Sequence, residues 1–283
     1  MLKNTFCHIP GIGAASEYRL WSAGIHTWDG LLEKDTIRLS RIGIKQVTDY
    51  IKQSVIHLEN HNPNYFTALL PSNQHWRLFS DFKHSIAYLD IETTGLGEPD
   101  DYITTIALYD GETLSYYVKG NNLDDFEEDI EKYKVIVTYN GKCFDVPFIK
   151  NYLNIKMDHA HIDLRYILRS LGYSGGLKGC EKQLGIDREE LDDVDGYFAV
   201  LLWDDFLKNK NRKALETLLA YNIRDVVNLE TLMVISYNLK LKDTPFSGTY
   251  QLPPPHPPDV PFKADMETIE RIKSNNHINK FYF

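Results

Sequence analysis

A chain of 283 residues, 43 % apolar and 25 % charged, has room for one sizeable domain plus a small one, or for two modest domains. Its net charge of −9 and pI near 5.6 exclude a protein that coats nucleic acid through a global basic field. They leave room for an enzyme whose site concentrates acids around cations.

Cys7, Cys143 and Cys180 are few and widely spaced, which suggests neither a disulfide framework nor a thiolate zinc site. No run of about 18 apolar residues occurs, so no membrane partner is expected. The start has no long apolar leader with a small-residue cleavage site, and a cytoplasmic location is the expectation. The charge is uneven. Residues 1–85 carry 9 basic and 7 acidic side chains and residues 241–283 carry 5 of each, which leaves 17 basic and 28 acidic in 86–240.

In chain order, Ala14–Ala23 has helical composition and is closed by Gly24, and Thr27 is the N-cap expected for a second short helix. Leu39, Ile42, Ile44, Val47, Ile51 and Val55 are spaced for a longer amphipathic helix over 37–58. A loop containing Pro63 and Pro71 follows, and Ser72 is placed to cap a helix through Trp76 and Phe79. The pattern then changes. Ile86–Ile91, Tyr102–Tyr109, Thr113–Lys119 and Val135–Tyr139 are short, rich in β-branched and aromatic residues, and bounded by turn signals. Asp110-Gly111 marks a hairpin between the second and third. Helical patterns dominate afterwards: Asp145–Tyr152, Leu164–Leu171, Tyr197–Phe206 and a long one from Lys213 to Tyr237. An antiparallel start followed by strand–helix alternation predicts an α/β domain with a mixed sheet flanked by helices, preceded by a small all-α region. Seven of the 12 prolines lie in 245–261, an extended strap, before a short helix over Asp265–Lys273. The expected divisions are 1–84, 85–242 and 243–283.

Asp90-Ile91-Glu92 closes the first strand. Residues two apart share a strand face, roughly 6.6 Å apart. Two acids on one face of a core strand repel each other and cost desolvation, and a hard divalent cation with oxygen ligands relieves both. Two solvated acids at a strand end are the plainer reading of this pair alone. Asp145 falls at a helix N-terminus, where simple capping also explains it. In the long last helix Tyr221 and Asp225 are i and i+4, so phenol and carboxylate point the same way beside the apolar stripe of Leu215, Leu218, Leu219, Val226, Leu229 and Met233.

As an ordered set, Asp90-Ile-Glu92-Thr-Thr-Gly95-Leu96, Asn140-x-x-x-Phe144-Asp145 and Tyr221-x-x-x-Asp225 resembles the three exonuclease motifs of the DEDD superfamily in its tyrosine branch, DEDDy. Gly175-Gly-Leu-Lys178-Gly-Cys-Glu181-x-x-Leu-Gly185, with Tyr221-Asn222-Ile-Arg-Asp225-Val-Val-Asn-Leu229, is similar to the YprB-type ribonuclease H-like exonucleases of the DnaQ-like group. The resemblance covers about residues 84–240. It implies a ribonuclease H-like fold and 3′→5′ hydrolysis of DNA or RNA ends with two divalent cations, Mg²⁺ or Mn²⁺. By the same resemblance Asp90 would bridge the two ions, Glu92 and Asp225 would bind one, and Asp145 would hold the other through water. Tyr221, with an ordinary pKa near 10, is a poor base and would orient the attacking water. Thr93 and Thr94 would lie near the terminal 3′-OH, and Leu96 and Phe144 near the last base. Asn140 belongs to the same substrate-facing set. The acidic middle of the chain departs from a basic groove, so the strand would be gripped locally, by Lys142, Lys178 or Arg224, or by the N-terminal region.

Ile9-Pro-Gly11-Ile-Gly13, with Gly24-Ile25 after the next helix, resembles a helix-hairpin-helix element whose glycines Gly11 and Gly13 bring backbone N–H groups to a nucleic-acid phosphate. An ordinary helical hairpin packed through Trp21 and Trp28 fits the same residues. His57 and His61 read as a solvated helix end, His161-Ile-Asp163 as a strand end, Gly175-Gly176 and Gly179 as a turn, and Asp187–Asp195 as a solvated loop and helix start. The Pro-rich tail is a candidate for binding a protein partner. Two rival functions stay open: a catalytically silent nucleic-acid-binding scaffold, and an endonuclease of the same superfold.

Overall fold

The computed structural model of the chain describes residues 1–33, 43–191 and 194–279. Leu39 and Ile42 of the expected 37–58 helix lie outside the described residues. A 3₁₀ turn, Leu2–Asn4, leads to the Ile9–Gly13 loop, where Gly11 takes φ +84°. Helix α1 spans Ala14–Ser22 and α2 spans Trp28–Leu32, the latter capped by the Thr27 hydroxyl, which accepts the Gly30 N–H at 3.1 Å. Helix α3, Ile44–Glu59, follows. The expected loop at Pro63 is instead α4, Pro63–Leu69, with the proline at the start of the helix, where its missing N–H costs nothing. Ser72 makes no cap bond. Residues Ser72–Leu78 form a 3₁₀ segment and only Phe79–Phe82, α5, is α-helical. His75, Trp76, Arg77 and Leu78 are all buried, so the segment is enclosed on every side and an amphipathic helix does not serve there.

The Trp21 and Trp28 indoles donate to the Asn4 and Thr5 carbonyls at 3.0 and 2.8 Å, and Trp28 stacks on Phe66. Below them Glu17, on α1, meets Arg77 at 2.6 Å with side chains 1 % and 4 % exposed, and also accepts the Phe6 and Cys7 N–H groups. Arg77→Met leaves that carboxylate buried without its cation and should cost about 3 kcal/mol of unfolding free energy. Urea titration measures the loss, and adding Glu17→Gln should restore most of it.

Strands β1 (Ile86–Thr93), β2 (Ile103–Tyr109) and β3 (Leu114–Val118) form an antiparallel meander. Gly111, at φ +97°, turns the second hairpin. Helix α6 (Phe126–Ile130) then leads to β4 (Val135–Thr138), α7 (Asp145–Leu153), β5 (Ala160–Asp163) and α8 (Leu164–Ser170). The sheet order is β3-β2-β1-β4-β5, with β4 parallel to both β1 and β5. A turn at Gly175 and Gly176, both at positive φ, opens α9 (Gly176–Gln183). Gly179 is therefore helical, contrary to its reading as a turn. A Cβ there would meet the Ser174 carbonyl at 2.9 Å.

Helix α10 (Gly196–Asn209), capped by Asp195, precedes α11 (Arg212–Lys242), 31 residues and about 46 Å long. α11 crosses one face of the sheet. Alternation along β1 divides its side chains: Tyr88 joins the core under α11, while Ala87, Leu89 and Ile91 join a second core with Phe126 and Ile149 of α6 and α7. Trp21, Trp28, Trp76 and Phe79 belong to the α11 core, so the N-terminal helices and the sheet domain are packed together. After α12 (Ser247–Tyr250) the Pro-rich strap runs without helix or strand to α13 (Met266–Asn279). The Asn238 amide brackets Leu252, donating to its carbonyl and accepting its N–H, and Phe262 packs edge-on to Tyr116.

Candidate metal centre

Strand alternation puts Asp90 and Glu92 on the α11 face of β1, near the end of the strand and just before its register shifts between Glu92 and Thr93. Asp225 comes to them from α11. One carboxylate oxygen from each of Asp90, Glu92 and Asp225 lies within 4.8 Å of the other two. Asn222, one helical turn before Asp225, donates to Asp90 Oδ2 at 2.7 Å and accepts from the Thr105 hydroxyl at 3.0 Å, so β1, β2 and α11 are pinned together at the acids. Asp145 begins α7, is buried, and stands outside that group of three. It is near enough for its charge to help push Asp90 and Glu92 up.

Burial is the largest influence on all four acids. It carries Asp90 and Glu92 well above the ordinary carboxylate range, with the neighbouring acids adding to it. Asp145 rises to about 7, although backbone N–H groups pull it down, and Asp225 rises only to about 6 because the Arg188 guanidinium opposes its burial. Tyr221, 6 % exposed, is driven far above 10 by burial and then by the charges of Asp225, Glu92 and Asp90. It stays a phenol at any working pH. It can orient a water but not take its proton.

All the donors here are oxygens, which suits a hard divalent cation. Positive charge placed among the four acids would also remove the repulsion that raises them. The residues present fit such an ion.

The remaining expected contacts divide. Thr93 donates to the Gly95 carbonyl at 2.6 Å, and the Thr94 hydroxyl accepts the Tyr102 N–H at 3.0 Å. Asp101 then receives the Gly97 and Glu98 N–H groups and ties the loop back on itself. Gly95 is required beneath it, since a Cβ would come within 2.3 Å of Asp101 Oδ1. Both threonines thus shape the loop that carries Leu96, which is 90 % exposed at its tip. Phe144 is half-buried against Phe148 just before Asp145. Asn140, at φ +67°, and Lys142 give their backbone N–H groups to Asp163, the end residue of β5, and Arg165 donates to the Asn140 side-chain oxygen Oδ1. Asp163 therefore shapes the turn that aims Asp145. Lys142 is drawn inward, its Nζ 3.2 Å from Ser72 Oγ, and not toward the acids. Lys178 does reach the site, with Nζ 5.6 Å from the Tyr221 ring centre and bonded to the Val194 carbonyl.

Arg188, Glu181 and Asn228 complete the site. Arg188 was expected in a solvated loop, yet it is 3 % exposed. Asp192 and Asp193 of that run lie outside the described residues. One signal was legible: Asn228 lies seven residues after Tyr221 and three after Asp225, on the same face of the helix.

The chain matches the family model of the RNase_H superfamily over residues 87–237. It is 30 % identical over 176 residues to "Uncharacterized protein YprB" of Bacillus subtilis (strain 168), which spans 54 % of this chain and 42 % of that protein. This chain thus covers less than half of that relative. Among solved structures it has a partial likeness to the family B DNA polymerase of the archaeon Pyrobaculum calidifontis, with TM-score 0.41 and 19 % identity over 56 % of this chain and 24 % of the polymerase. With a family match over more than half its length, laid on a five-stranded sheet of order β3-β2-β1-β4-β5, this chain belongs to the RNase H superfamily.

Proposed function

We propose that residues 85–242 form a metal-dependent 3′→5′ exonuclease of the DEDDy type, acting on single-stranded or frayed ends of DNA or RNA. The observation that carries this reading is the approach of Asp90, Glu92 and Asp225 within 4.8 Å beneath Tyr221, in a superfamily of nucleases. Asp90, Glu92 and Asp225 would hold a divalent cation, Mg²⁺ or Mn²⁺, and Asp145 would serve a second. Bound cations supply charge stabilisation at the attacking and leaving oxygens and a more acidic water.

The chain's own residues do the rest. The Tyr221 hydroxyl orients the water toward phosphorus. Attack forms a phosphorus–oxygen bond and breaks the bond to the 3′-oxygen of the preceding nucleotide. The attacking water gives up a proton to solvent, the departing 3′-oxygen takes one up, and a nucleoside 5′-monophosphate leaves. Leu96 and Phe144 flank the last base. Thr93, Thr94 and Asn140 shape the substrate-facing loops, and Lys178 contributes positive charge beside Tyr221. The N-terminal turn at Gly11 and Gly13 would touch the nucleic-acid backbone, the Pro-rich tail would meet a protein partner, and the protein would work in the cytoplasm.

The test uses a 5′-labelled single strand of DNA or RNA with Mn²⁺ or Mg²⁺. A ladder shortening from the 3′ end, abolished by EDTA, is expected. Internal cuts on a circular strand would mark an endonuclease, and intact substrates under all conditions a silent scaffold.

A further inference from the structure

We infer that Arg188 is a positioning residue for the metal centre: it occupies one oxygen of Asp225, restricts that carboxylate to one-oxygen coordination, and backs the Tyr221 ring. The inference deepens the proposed nuclease reading and rests on it. Arg188 Nη1 lies 2.7 Å from Asp225 Oδ1, and its guanidinium carbon is 5.7 Å from the centre of the Tyr221 ring. The side chain is 2 % exposed, so solvent screens this contact little.

What keeps a cation beside a site meant for another cation is a separate brace. Arg188 Nε is bonded to Glu181 Oε2, and the other oxygen of Glu181 accepts from Asn228 Nδ2 at 2.8 Å. Both oxygens of Glu181 are thus spoken for, and Glu181 is 1 % exposed on α9. Asn228 stands three residues beyond Asp225 on α11, so the brace begins and ends on the helix that carries the ligand. The rigid guanidinium fork fixes direction in a way that a lysine ammonium cannot.

The contact to Asp225 has a second feature. The two atoms are close but out of line for a hydrogen bond: Arg188 Nη1 and Nη2 and Asp225 Oδ1 are all buried without an aligned partner. At 2.7 Å in a buried setting the attraction is chiefly Coulombic, and it holds that oxygen against the guanidinium. Arg188 therefore acts in two opposed ways. Its charge repels a divalent cation nearby, and its position sets the geometry in which Asp225 and Tyr221 act. A residue of this kind weakens metal binding while raising turnover.

That opposition is the test. The double variant Glu181→Gln, Arg188→Met removes Arg188 without leaving Glu181 as an unpaired buried charge, Gln still accepts from Asn228, and Asp225 is left for the metal to pair. Mn²⁺ affinity is read by electron paramagnetic resonance of the free ion, turnover by the 5′-labelled strand at saturating Mn²⁺, and folding by thermal melting. Mn²⁺ should bind about threefold more tightly, because the positive charge removed adjoins Asp225 while the negative charge removed with it stands behind Arg188, while kcat falls about a hundredfold. Arg188→Lys, which keeps charge and loses the fork, should leave affinity within about twofold of the starting protein and still lower kcat about tenfold. If affinity and turnover fall together in the double variant, or if neither moves, the role of Arg188 is overturned while the nuclease reading stands. If the unaltered protein neither binds Mn²⁺ nor shortens the strand, both are overturned.

Discussion

Asp90→Asn should abolish hydrolysis, by at least about 10³-fold in kcat, and should at the same time raise the melting temperature of the protein in EDTA. The first effect follows from the position of Asp90 at the centre of the acids. A metal ligand supports several kcal/mol of charge stabilisation in the transition state, and each 1.36 kcal/mol is tenfold in rate. The second follows from burial. Asp90 is raised by its own desolvation and by Asp225, Asp145 and Glu92, so its charged form is a liability when no cation is bound. Asparagine keeps the shape and can still accept the hydrogen bond that Asn222 gives to Asp90 Oδ2. Loss of activity with gain of stability separates a functional residue from a structural one. A variant that is inactive and also less stable at pH 8 in EDTA would mean that Asp90 supports the fold, and the metal-centre reading would lose its main support.

Much of this site could be read from the sequence because the rules involved are local. Alternation along a strand joins Asp90 to Glu92, and four-residue spacing on a helix joins Tyr221 to Asp225. The β2–β3 hairpin was legible from Asp110-Gly111, and the Thr27 cap from its residue type. What the sequence hid depends on distant partners. Arg188 sits in an acidic, loop-like run, and nothing local says that Glu181 and Asp225 will draw it into the interior. Lys142 has the composition of a surface grip, yet the 3₁₀ segment at Ser72 supplies a hydroxyl that holds it inward. Pro63 was read as a loop residue because proline breaks helices in their interior, whereas at the first position it starts one. The two glycines before α9 do make a turn, but Gly179 is small so that the helix can pass the Ser174 carbonyl, a demand visible only in three dimensions.

In the metal-free protein the acids should cost stability progressively as pH rises from about 4 to about 7, and Mn²⁺ should cancel that cost. Asp145 moves from an ordinary 3.8 to about 7 and Asp225 to about 6, both chiefly through burial, and Asp90 and Glu92 are raised in the same direction by burial and by their acidic neighbours. A carboxyl raised by folding contributes stability that is fully present below its unfolded pKa, near 4, and is lost as pH climbs through the folded value. A shift of that size in Asp145 alone is worth about 4 kcal/mol. Histidines act in the opposite sense. His8 and His161 are pushed from 6.5 down to about 3 by burial, so their contribution is present above 6.5 and lost as pH falls. The two sets oppose each other between about pH 4 and 6.5, so the acids are read from the difference that metal makes and not from the EDTA curve alone. Divalent cations bind the deprotonated carboxylates, so saturating Mn²⁺ stabilises more at about pH 7.5 than at about pH 5. Histidines cancel in the difference between the two series. Urea midpoints across about pH 5–7.5, with EDTA and with Mn²⁺, measure it directly. A metal increment that does not grow with pH would mean that Mn²⁺ displaces no protons from the four acids, and the cluster would then not be the site that holds it.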